Sequence, residues 1–200
     1  MKMNDIINYL DELYPNPKCE LNYNKDYELL IAIMLSAKST DKMVNKITSV
    51  LFNKYKSIYE LNNASLNDIV DIIKPLGNQN KKAIFIKEIA LYIKNNGIPN
   101  NRNELIKIKG IGIKTANVFL SLMYNEQYLA VDTHVERVSK RLNLVDKNDN
   151  VNTTEKKLSK KFENYDLVRL HLQLVLFGRY KCKAKNPICY DCKLKEICNK

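Results

Sequence analysis

The sequence predicts an all-α fold on three observations. Only five glycines and five prolines punctuate 200 residues, apolar residues recur at helical spacing, and the two-residue alternation of strands is missing. Asp26 is placed to cap a helix carrying Leu29 to Leu35, the longest apolar run and part of a buried element. Ile86, Ile89, Ala90 and Ile93 form one stripe, and Asn95-Asn96-Gly97 with Pro99 beyond reads as the end of that helix. A further helix ends near Ile108 and another begins near Ile113, with Gly110 and Gly112 between them. The polar stretch Val145 to Val151 separates two helices, and Asn152 with Glu155 three residues later has the form of an N-terminus leading into Leu158 and Phe162. Neither an internal repeat nor a flexible linker is visible. Any two domains must therefore share an intimate boundary, a place for an active-site cleft.

A chain of this length makes one large or two small domains and buries roughly 70% of its unfolded surface. No apolar run approaches the eighteen or so residues of a membrane helix, so a protein free of the membrane is expected. The opening MKMNDIINYL carries no apolar signal stretch, which predicts a reducing cytosol where disulfides rarely persist. Net charge is +11, and Arg179 to Lys200 holds seven basic residues against Asp191 and Glu196. Charge alone leaves two readings: an anionic partner, most simply nucleic acid, or a Lys-, Asn- and Ile-rich composition that solvates the surface.

Cys182, Cys189, Cys192 and Cys198 have six, two and five residues between successive members and fall within the most basic stretch, which favours nucleic acid. Four soft thiolates this close can converge on one metal centre. Zinc sites usually show two close Cys pairs, whereas only Cys189 and Cys192 are close here, so the spacing favours a four-iron cluster over zinc. Cys19 stands apart and reads as a buried small hydrophobe.

Ile108-Lys109-Gly110-Ile111-Gly112-Ile113-Lys114-Thr115-Ala116 reads as a helix-hairpin-helix. Glycines admit positive φ and let backbone N–H groups approach a phosphate, and Ile111 should plug the hairpin onto the core. A tight connection with no ligand is the competing reading. Together with the cysteine loop, this segment resembles the endonuclease III family of DNA glycosylases, whose motif reads roughly L-P-G-V-G-x-K-T-A. Leu29 to Asp41, Ala130 to Arg137, Phe177-Gly178-Arg179-Tyr180 and every interval between the cysteines also match, so the resemblance runs nearly end to end.

The resemblance implies a helix-hairpin-helix glycosylase fold: a helical barrel from 20 to 130, and a second domain of 1–19 plus 131–200 holding a 4Fe-4S cluster on the four cysteines. It implies that Lys114 attacks the sugar C1′ of a damaged nucleotide while Asp132 assists. The physical reasons are separate: a carboxylate stabilises the positive charge that builds on deoxyribose, and an amine that displaces the base leaves an iminium that permits β-elimination. Burial and the helix N-terminus would favour the neutral, attacking form of Lys114, and Asp132 would oppose that shift. Without the family, a phosphate-binding or surface role for Lys114 and a helix cap for Asp132 are the better readings. His134 and His171 are read as packing residues.

The target base must leave the stack to be reached. In the family a glutamine at the place of Lys38 and an apolar wedge at the place of Asn78 prop the gap open, and this chain departs from the pattern at both. Lys38, Asn78, Gly110, Ile111 and Gly112 are the expected DNA contacts, with Lys183 and Lys185 on phosphates. The expectation is a monomeric, cytoplasmic, nucleoid-associated glycosylase with AP lyase activity. It acts on oxidised pyrimidines or abasic sites in double-stranded DNA, with no membrane partner. The rivals are a monofunctional mismatch glycosylase, which lacks the lysine and carries an extra C-terminal domain, and a non-catalytic iron–sulfur DNA-binding module or electron carrier.

Overall fold

The computed structural model describes residues 2–199; Met1 and Lys200, which the expected second domain includes, lie outside the described residues. All regular elements among these are helical. The chain forms two compact units, one of Met1–Cys19 with Asn125–Lys200 and one of Glu20–Tyr124.

The first unit starts with α1 (Lys2–Leu13), whose Ile6, Tyr9 and Leu10 enter the unit's core. The second unit then runs through α2 (Asp26–Leu35), α3 (Asp41–Lys54), α4 (Ile58–Asn63), α5 (Leu66–Ile73), α6 (Gln79–Asn96), α7 (Arg102–Leu105) and α8 (Ile113–Tyr124). Every residue of α2 from Glu28 to Leu35 is buried, as expected of a helix apolar on all sides, and α3, α6 and α8 pack around it. Helices α3, α4, α5 and α7 start on serine, threonine or asparagine caps: Thr40 accepts from the Met43 N–H, Ser57 from Glu60, Ser65 from Asp68 and Asn101 from Glu104. Helix α6 ends at Gly97, with φ 75°, as the Asn-Asn-Gly signal predicts.

The first unit resumes with α9 (Thr133–Arg141), α10 (Val151–Lys161) and α11 (Leu167–Leu176), then a π-helical turn over Phe177–Lys181 and the cysteine loop. Val135, Val138, Phe162, Leu170, Leu174 and Phe177 close around α1, with Cys182, Cys192 and Cys198 packed at the edge. Asp11 of α1 accepts from Arg169 and Gln173 of α11, which ties the N-terminal helix to the C-terminal part of the chain.

Two predicted caps fall elsewhere. Asp26 is the first residue inside α2, where its charge favours the helix N-terminus, and Lys25 takes the cap position without a side-chain bond. Glu28 instead accepts from the Asn24 N–H at 2.8 Å. In α10 the cap is Asn150, accepting from Thr153, so the helix begins before the predicted Asn152. Cys19 is half-buried rather than core. No helix among the described residues is long and apolar enough to cross a membrane.

Candidate active site and cysteine cavity

The hairpin is built by α7, a turn and α8. Ile108 and Ile111 are both buried, and the Ile111 N–H donates to the Ile108 carbonyl at 3.0 Å, so Ile111 anchors the turn and its own N–H is spent there. Gly110 has φ 98°, and a Cβ there would lie 2.4 Å from Cγ of Phe85, so only glycine fits. Gly112 differs from expectation: its φ is not positive, and a Cβ would meet nothing within 4 Å. It is exposed, at the start of α8, whose first N–H groups have no acceptor within the helix.

Lys114 lies in the first turn of α8 and is exposed, with no hydrogen bond or ion pair to any described residue. No described residue buries its amine. Asp132, in the other unit, caps α9: its Oδ1 accepts from the N–H groups of His134 and Val135, each at 2.8 Å. Its Oδ2 accepts nothing from the described residues, so the capping reading of the sequence is met by one oxygen alone. His134 lies 3.2 Å from Arg137 through Nδ1, and Gly178 packs so tightly on it that a Cβ would come 2.8 Å from that of His134. The histidine thus serves packing, as the sequence suggested.

All four cysteines line one cavity of about 210 Å³, with Leu142, Phe177, Pro187 and Ile188 as apolar walls and Lys181 and Lys195 beside them. Burial pushes the Cys192 thiol above its usual range. No three His, Cys, Asp or Glu side chains among the described residues gather closely enough for a single metal ion. Four soft thiolates around one cavity are donors that suit an iron–sulfur cluster.

Sequence reading missed the arginines that hold this loop. Arg141 donates to the carbonyls of Cys182, Lys183 and Ala184 and approaches the Cys182 Sγ at 3.3 Å. Arg137 reaches the carbonyls of Gly178 at 2.6 Å and Cys182 at 3.1 Å. The signal lay in their position: Arg137 and Arg141 are one turn apart on α9. Lys183 and Lys185 are exposed on the interval so held. Lys38 and Asn78 are both exposed, and both adopt left-handed backbone, with φ 58° and 51°.

Residues 31–164 match the HhH-GPD superfamily of base excision DNA repair proteins. The chain is 40% identical to endonuclease III of Bacillus subtilis over 192 residues, 94% of this chain and 88% of that protein. Endonuclease III of Haemophilus influenzae is also 40% identical, across 97% of this chain and 93% of its own length. Among solved structures, a trapped endonuclease III–DNA covalent intermediate is similar with a TM-score of 0.93 at 38% identity, covering 100% of this chain and 96% of the other. A non-covalent endonuclease III–DNA complex gives 0.94 at 36% identity, covering 100% and 95%.

Proposed function

Because the chain belongs to the endonuclease III family of the HhH-GPD superfamily, and is on that account a base excision repair DNA glycosylase with AP lyase activity, we propose that Lys114 is its nucleophile and Asp132 the assisting carboxylate. The observation that carries this assignment is an exposed, unpartnered lysine in the first turn after the hairpin. DNA is the partner, and the proposed substrate is duplex DNA with an oxidised or ring-saturated pyrimidine, or an abasic site.

The neutral Lys114 amine attacks C1′ and the base departs with the bonding electrons. Asp132 opposes the positive charge that develops on the sugar and accepts a proton from the new nitrogen bond. Return of that proton to O4′ opens the C1′–O4′ bond as the nitrogen lone pair forms the iminium, which acidifies the C2′ hydrogens; loss of one expels the 3′ phosphate and nicks the strand. Its cap bonds hold the Asp132 carboxylate in one orientation before substrate arrives.

Lys38 and Asn78 are proposed to enter the gap left by the flipped nucleotide. Gly110 and Gly112 admit a phosphate to the start of α8, Ile111 anchors them, and Lys183 and Lys185 take further phosphates. Cys182, Cys189, Cys192 and Cys198 are proposed to hold a 4Fe-4S cluster, which when bound ties the loop into a fixed display of positive charge. The shared cavity supports that reading. The proposed domains are 20–130 with the hairpin and 1–19 plus 131–200 with the cysteines, in a monomer acting at the nucleoid.

The test is borohydride trapping on duplex DNA carrying one thymine glycol, with Lys114→Gln alongside. An adduct with the parent protein only is expected. Base release without an adduct would make the protein a monofunctional glycosylase, and an adduct retained by Lys114→Gln would assign the nucleophile elsewhere.

A further inference from the structure

Lys82 is 6% exposed, and among the described residues no carboxylate pairs with it. Its ammonium donates to three backbone carbonyls, those of Leu35, Ala37 and Leu76, each at 3.1 Å, and approaches the Ser39 Oγ at 3.5 Å. Ser39 in turn donates its hydroxyl to the same Leu76 carbonyl at 3.2 Å. Three N–H bonds thus meet three carbonyls from two separate segments, the end of α2 with the stretch after it and the turn before α6. Burying an unpaired cation costs free energy, and here burial pulls the ammonium below its ordinary titration range. An apolar residue would fill this face of α6 without that cost, beside Ala83 and Ile86. Plain packing does not explain a lysine here.

The two segments it joins carry Lys38 and Asn78. Both are exposed non-glycine residues at positive φ, a conformation that persists only where surrounding bonds over-determine it. We propose that Lys82 is the positioning residue that fixes these two loop tips relative to each other, and thereby sets how the duplex is held open around the extruded nucleotide. Its ammonium does not touch DNA; it acts through the carbonyls on either side. The proposal rests on the reading that Lys38 and Asn78 fill the gap.

The experiment compares two substrates with the holoenzyme. One is an abasic site within a fully paired duplex, where the gap must be opened; the other is the same site within an unpaired bubble, where it is already open. Lys82→Met should lower kcat/KM on the duplex by about tenfold or more and leave the bubble within about twofold. Ser39→Ala, which removes only the hydroxyl bridge, keeps the test intact if Lys82→Met does not fold, and should give the same duplex-selective loss at about threefold. The Lys38→Ala/Asn78→Ala double variant reads the loop tips directly. If it is duplex-selective and the other two are not, the positioning role is overturned while the gap-filling reading stands. Should it show no selectivity, the premise itself fails and the proposal with it. Equal losses on both substrates would reduce Lys82 to general support of the fold and also overturn it.

Discussion

Asp132 holds the first turn of α9 through one carboxylate oxygen and no described residue donates to the second, so substitution can separate the cap from the proposed catalytic role. Asparagine caps a helix about as well as aspartate, but it cannot hold negative charge or take a proton. Asp132→Asn is therefore expected to keep its melting temperature while single-turnover base release falls by about a hundredfold or more. Asp132→Ala should lose the activity and also about 1 kcal/mol of stability, read from denaturant unfolding. The cap at Asp132 was legible in the sequence, while its proposed catalytic role rests on the Ala130 to Arg137 stretch that resembles the family. Lys82 was not legible, because a lysine after Asn78-Gln79-Asn80-Lys81 reads as a solvated helix start. The overlooked signal was register: Lys82 falls four residues before Ile86, on the buried stripe.

At the scale of the element, the hairpin sets a requirement of the fold beside a requirement of the ligand. Gly110 is demanded from within, by φ 98° and by Phe85, so Gly110→Ala should destabilise the protein by about 2 kcal/mol or more. Nothing inside the protein demands Gly112. Gly112→Ala should leave the midpoint of thermal unfolding near the parent's and weaken binding to an abasic-site duplex, an order of effects that fluorescence anisotropy beside calorimetry would check. Two glycines two residues apart made the hairpin readable; their unequal roles were not, because φ and the place of Phe85 belong to tertiary structure. The caps of α2 and α10 were misread for a related reason. Several polar residues compete at each helix start, and the backbone angles that choose among them are not encoded by any one residue.

Helix α10 carries its own electrostatic dependence. Lys157 donates to Asp146 and Asp149, and Asp149 also accepts from the Asp146 N–H at 2.9 Å. Lys157 holds the Asp149 carboxyl below its ordinary 3.8, helped by Lys140 nearby. A carboxyl with a lowered folded value stabilises above 3.8 and loses that contribution as pH falls from there through the folded value. Asp146 and Asp149 raise Lys157 above 10.5, so its contribution is present below 10.5 and lost as pH rises through the folded value. Lys157→Met should flatten both limbs of a melting-temperature profile, and Asp149→Asn chiefly the acid one. An acid limb unchanged by Asp149→Asn would place the acid sensitivity in other carboxylates.

For the molecule as a whole, the question is how a chain of net charge +11 uses its excess. Some basic side chains are paired within the protein, which leaves the excess itself untouched: Lys54, Lys107, Lys140, Lys157, Arg169, Lys181 and Lys193 all meet carboxylates. Lys183 and Lys185 differ, since they are exposed with no ion pair to a described residue, while Arg141 grips the carbonyls of Lys183 and Ala184. Their backbone is held and their charges are presented, the arrangement in which a phosphate contact loses little entropy on forming. Each contact displaces a counterion from B-DNA and adds about 0.9 to the slope of log K against log salt. Lys183→Ala/Lys185→Ala should lower that slope by about 1.8. It should weaken binding most at low salt and leave nicking of fully bound abasic DNA at the parent rate. A slope equal to the parent's would mean that both lysines only solvate the loop. A loss in the rate on bound DNA would mean that they act beyond electrostatic capture.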